Sequence, residues 1–67
     1  MNAEEMRLQV AVTDSAISVT DARREYDIAM ANSACLRVSY PLRMALLAAK
    51  EYHDTNVIDL NNYLKSN

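Results

Sequence analysis

Glycine does not occur among the 67 residues, and proline occurs once, at Pro41. Average usage of about 7% would place roughly four or five glycines in such a chain. Glycine is the default residue where the backbone must take positive φ, as it does in tight strand-to-strand turns. A chain without it is poorly equipped for a β fold of many turns. Alanine, leucine, methionine, arginine and glutamate fill much of the rest and are good helix formers. The expected class is all-α.

Length limits the core. One domain, residues 1–67, buries only about 60% of the surface its unfolded form exposes. Domains of this size usually add disulfides, a structural metal or a partner chain. Cys35 is the only cysteine, so no disulfide can form within the chain. One cysteine and one histidine cannot supply the four ligands of a structural zinc site, so neither metal nor cofactor is expected. A partner chain is the remaining source of stability.

The first helix marks its own start. Asn2 is a capping residue with Glu5 three positions on, and Met1 and Met6 stand at the positions of a hydrophobic staple. From there Leu8, Val12, Ser15, Val19, Ala22, Tyr26, Ala29, Ser33, Leu36 and Tyr40 follow an unbroken 4-3 spacing, which predicts one stripe of a helix. Met6, Val10, Thr13, Ile17, Ile28, Ala31, Cys35 and Val38 form a second stripe on roughly the opposite side. A competing reading pairs Arg7–Val12 with Ile17–Thr20 as a β-hairpin, because Val10, Val12, Ile17 and Val19 are β-branched. The cap and the ten-position run favour helix.

Pro41 is expected to end this helix, since proline disfavours α geometry at the residue before it and cannot donate to the preceding turn. The pattern thus predicts a helix over about 3–38, a nearly all-apolar helix over about 42–53, and a third over about 56–65 after the cap residues Asp54, Thr55 and Asn56. A helix over 3–38 would be about 54 Å long. The two shorter helices can cover only one of its stripes. The other is then left for a second chain, and a homodimer is expected.

Charge is modest overall, −2, but uneven. Residues 1–22 sum to −3, residues 23–50 to +3 and residues 51–67 to −2. The expectation is that the acidic first segment packs against the basic middle one, within one chain or between two. No run approaches the roughly 20 apolar residues a membrane span needs. No secretory signal pattern is visible either, so no membrane and a cytoplasmic location are expected.

Candidate chemistry is sparse. Cys35 is expected as a small buried thiol on an apolar stripe, and His53 as a cap near a helix C-terminus. Glycine-rich phosphate loops are excluded, and Glu4, Glu5, Asp54 and Asp59 read as capping and solvated-face residues, not as an acid/base pair. No catalytic residue is assigned and no enzyme is expected. Arg23, Arg24, Arg37 and Arg43 form a candidate basic patch. The candidate interface is Leu8, Val12, Val19, Tyr26, Leu36 and Tyr40, with a candidate second face at Met6, Val10, Ile17, Ile28 and Val38.

In size, composition and lack of a site the chain resembles small adaptor or modulator proteins of phages and bacteria, a likeness of type only. The expected function is a non-enzymatic regulator that, as a homodimer, docks on a larger protein and inhibits or stabilises it. Two alternatives are a small DNA-binding regulator using the basic middle segment and a secretion-type chaperone for a helical partner.

Overall fold

The computed structural model describes residues 2–66. They form an antiparallel hairpin of two long helices, α1 (Ala3–Ala31, 29 residues) and α2 (Leu36–Ser66, 31 residues). The hairpin is a rod measuring 49 × 14 × 12 Å. No strand occurs among the described residues, so the segment with the β-branched cluster is helical.

α1 starts where its sequence places the start. Asn2 is extended, and its side-chain oxygen accepts the Glu5 N–H at 2.8 Å while its carbonyl accepts the Met6 N–H at 3.0 Å. Glu4 and Glu5 lie in the first turn, at the positive end of the helix dipole. The expected staple involves Met1, which lies outside the described residues.

Its end does not match the expectation. The predicted helix over 3–38 stops at Ala31, and the ten-position run is cut between Ala29 and Leu36. Ser33 takes φ 57° there, in the left-handed region. Its N–H reaches the Met30 carbonyl at 3.1 Å, and the Ala34 N–H reaches the Ala29 carbonyl at 2.9 Å. This pair of bonds is the Schellman termination, built here on serine where glycine is usual. A left-handed non-glycine residue costs roughly 1–2 kcal/mol. The reversal offsets that cost because two helices of nearly equal length can then cover each other from end to end.

α2 runs through both of the stops expected in it. Pro41 is its sixth residue, so only the hydrogen bond to the Arg37 carbonyl, close to the helix start, is lost. The Cys35 carbonyl opens the helix by accepting from Val38 at 3.0 Å and Ser39 at 2.9 Å. Asp54, Thr55 and Asn56 do not cap a third helix; they sit inside α2. The expected helices over 42–53 and 56–65 are one element.

The seam explains why. On α1, Leu8, Val12, Ser15, Val19, Ala22, Tyr26 and Ala29 are all buried or half-buried. On α2 the matching residues are Ser39, Leu42, Leu46, Ala49, His53, Asn56, Leu60 and Tyr63, a 3-4 repeat that passes through both expected breaks. A continuous seam of this kind gains more from staying helical than Pro41 or the cap residues gain from interrupting it. The seam is thin, however. Leu8 and Leu46 are the only large apolar side chains counted as buried among the described residues.

Candidate functional site

A polar layer crosses the middle of the seam. Ser15 is the most buried side chain described, 1% exposed, and its Oγ lies 2.8 Å from His53 Nδ1. The Ser15 hydroxyl donates to the Val12 carbonyl at 3.0 Å. With its hydrogen turned to that carbonyl, Ser15 Oγ is left to accept from His53 Nδ1. One turn away Asn56 Nδ2 donates to the Ala11 carbonyl at 3.2 Å. These two contacts hold the helices in register, with residue 15 level with 53 and residue 11 level with 56.

Serine beside histidine is also half of a nucleophilic pair, so its chemistry matters. Activation requires the histidine to take the hydroxyl proton. In this pair the proton is directed at a carbonyl and the ring is the donor. The arrangement ties α1 to α2 in register at a side chain that is 1% exposed. His53 is therefore not the C-terminal cap expected of it; it lies mid-helix in α2.

The candidate interface residues separate into two groups. Leu8, Val12, Val19 and Tyr26 line the seam between α1 and α2, within one chain. Leu36 and Tyr40 stand exposed on α2, and Leu36 is 75% exposed. The second face is open to solvent: Met6, Val10 and Ile17 on α1 are 54%, 53% and 55% exposed, with Ile28 on α1 and Val38 on α2 exposed to similar extents. Met30, Met44, Leu47, Tyr52, Ile58 and Leu64 add to this outer apolar surface. A rod of two helices has too little interior to take them in.

Charge follows the register. The turn half of the rod, residues 18–50, carries Arg23, Arg24, Arg37, Arg43 and Lys50 against Asp21, Glu25 and Asp27, a net +2. The open half, residues 2–17 and 51–66, carries Glu4, Glu5, Asp14, Glu51, Asp54 and Asp59 against Arg7 and Lys65, a net −4. Within one chain, the acidic first segment is thus not packed on the basic middle. The turn falls inside the basic segment and folds it on itself, and the two acidic segments lie side by side. The salt bridge found among the described residues is local, Arg7 to Glu4 at 2.6 Å. It holds the Glu4 carboxyl below its ordinary range, chiefly through the hydrogen bond from Arg7. Arg7 is raised in turn, first by the hydrogen bond and charge of Glu4 and then by the charge of Asp59.

Cys35 is exposed in the turn, not buried on a stripe, because α1 ends before reaching it. Among the described residues no group of three or more His, Cys, Asp or Glu side chains is placed to hold a metal ion. No helix among them is long and apolar enough to cross a membrane. Comparison with protein-family profiles, with curated proteins and with solved structures finds no match, so the reading of function rests on these residues and their geometry.

Proposed function

We propose that this chain is a non-enzymatic, protein-binding regulator that works in the cytoplasm as a homodimer and docks on a larger protein. The observation that carries the reading is the exposed apolar surface of both helices, Met6, Val10 and Ile17 on α1 with Tyr40, Met44 and Leu47 on α2. That many large apolar side chains left in water supports a reading in which another chain covers them. Area supports a second copy as one occupant. The surface is 4996 Å² for 7.6 kDa, about 700 Å² more than a compact chain of that mass exposes. If two hairpins reached the compactness of a single chain of twice the mass, they would bury roughly 2,900 Å² between them, in the range of obligate dimers.

The test is capture from the native host followed by reconstitution. A target should form a stoichiometric complex with the purified dimer, change its activity on binding, and lose both effects when Val10, Ile17 and Met44 become alanine. No complex with purified components, or one indifferent to those substitutions, would overturn the docking reading.

A second reading has one observation in its favour: Arg23, Arg24, Arg37 and Arg43 collect in the same half of the rod, where they present one positive end to a phosphate backbone. Binding to DNA that falls steeply with salt and is abolished when all four become glutamine would support that reading. The absence of any binding at low salt would dismiss it.

A further inference from the structure

The exposed apolar residues are not spread evenly round the rod. At about 3.5 residues per turn, positions flanking an antiparallel seam fall on one or other of two broad faces shared by both helices. Arg7 on α1 and Asp59 on α2 are close enough for the charge of Asp59 to act on Arg7, so they mark one shared face. Helical spacing puts Glu4, Asp14, Asp21 and Glu25 of α1 on that side too, together with Ala45 of α2. Its charged residues are mostly acidic, and of the large apolar residues exposed on the rod only Ile28 of α1 and Val38 and Tyr52 of α2 share it. On the opposite side the same spacing places Met6 and Met30 of α1 with Leu36, Tyr40, Leu47 and Leu64 of α2, all of them exposed.

We propose that a second copy of this chain covers this face with its own, the two rods running antiparallel, so that two hairpins close into a four-helix bundle. The proposal rests on the homodimer reading above and adds which face is used and in which direction. Two observations carry it. Face-to-face stacking lets both helices contribute, which is what an interface near the area estimated above requires; a single helix edge would not supply it. The direction follows from charge. A parallel stack would set the basic turn half on a basic half and the acidic open half on an acidic one. On this face itself the same spacing leaves Arg23, Arg43 and Lys50 against Asp27 in the turn half, a net +2, and Asp54 in the open half, so the antiparallel stack lays each positive half on the partner's negative one.

The antiparallel stack also fixes a pairing. With the ends flush, the two-fold axis passes level with the middle of α2, which runs from Leu36 to Ser66, near Glu51 and Tyr52. Lys50 of one chain then meets the partner's Asp54, and Asp54 of the first chain meets the partner's Lys50. This makes an exchange of charges diagnostic. Lys50→Glu sets like charges across the axis in its homodimer, and so does Asp54→Lys in its own. Mixed one to one, the two variants restore opposite charges at both contacts.

The experiment is sedimentation equilibrium on the full chain, wild type and variants, near physiological salt. The wild type should dimerise, and each charge variant alone should do so more weakly, by about tenfold in Kd or more. The mixture should form a heterodimer in preference to either homodimer. Leu47→Glu should abolish the dimer, whereas Ala45→Glu on the opposite face should leave it intact. A mixture with no preference for the heterodimer overturns the antiparallel stack. A wild-type dimer untouched by Leu47→Glu overturns the face while leaving the homodimer standing. A wild-type monomer overturns both this arrangement and the homodimer it rests on.

Discussion

Ser15 is the most buried side chain described, and it offers the sharpest test of the seam. Replacement by alanine removes the acceptor at 2.8 Å from the His53 Nδ1–H without adding bulk. Losing a hydrogen bond of this kind costs about 0.5–1.5 kcal/mol net, and His53 is half-buried, so water can replace part of it. For a chain of this length that corresponds to a fall in Tm of about 4–8 °C per kcal/mol. Replacement by leucine is the more informative change. In a wide leucine-lined seam Ser15→Leu would stabilise, because it buries a large apolar side chain. Here the side chain is 1% exposed and hemmed in, so the added carbons force the helices apart or the leucine off its rotamer, at about 1–3 kcal/mol beyond the lost bond. Thermal melts followed by circular dichroism, at one fixed protein concentration, should rank wild type above Ser15→Ala above Ser15→Leu. A double-mutant cycle of Ser15→Ala with His53→Ala should return a coupling of about 0.5–1.5 kcal/mol. Stabilisation by leucine, or a coupling near zero, would refute the close-packed seam and the register drawn from it.

Other expectations follow from the turn, from the first turns of α2 and from the Arg7–Glu4 ion pair. Ser33→Gly should raise stability by about 1 kcal/mol, because glycine takes φ 57° without the side-chain penalty; an unchanged or lower Tm would mean that Ser33 is not left-handed. Pro41→Ala should also stabilise, by about 1–3 kcal/mol, since alanine returns a donor to the Arg37 carbonyl and fits the helix; destabilisation would mean that α2 is broken there. Glu4 has its carboxyl pKa lowered by Arg7, so its contribution to stability is present above the ordinary carboxylate range and is lost as pH falls through its folded-state value. Stability should therefore drop on acidification, and Glu4→Gln should flatten that part of the profile; identical profiles would contradict the pairing.

The helical class and the start of α1 were legible because each rests on local chemistry: the missing glycines, and Asn2 with Glu5 behind it. The seam face of α1 was legible too, through the spacing of Leu8, Val12, Ser15, Val19, Ala22, Tyr26 and Ala29. The turn was hidden because its left-handed residue is serine. Ser33 also kept the 4-3 spacing, so the run to Leu36 and Tyr40 read as continuous although the chain reverses within it. Pro41 and the Asp54–Asn56 cluster misled in the opposite direction. Their local preference for a break is outweighed by a seam that only the folded pair reveals, although its repeat through Ser39, Leu46, His53 and Leu60 was present in the sequence. The Ser15–His53 contact joins residues 38 positions apart and depends on where the turn falls. With the turn misplaced, His53 read as a cap, Cys35 as buried and the basic segment as a partner for the acidic one. The exposed second face of α1 survives these corrections, since it follows from helix periodicity alone.

The central claim is that a rod this thin completes its core with another copy of itself. Sedimentation equilibrium at micromolar concentration, paired with thermal melts over a hundredfold range of protein concentration, tests it most directly. The account predicts a dimer whose Tm rises with concentration, because association stabilises the folded chain by mass action. A stably folded monomer whose melting is independent of concentration would contradict it.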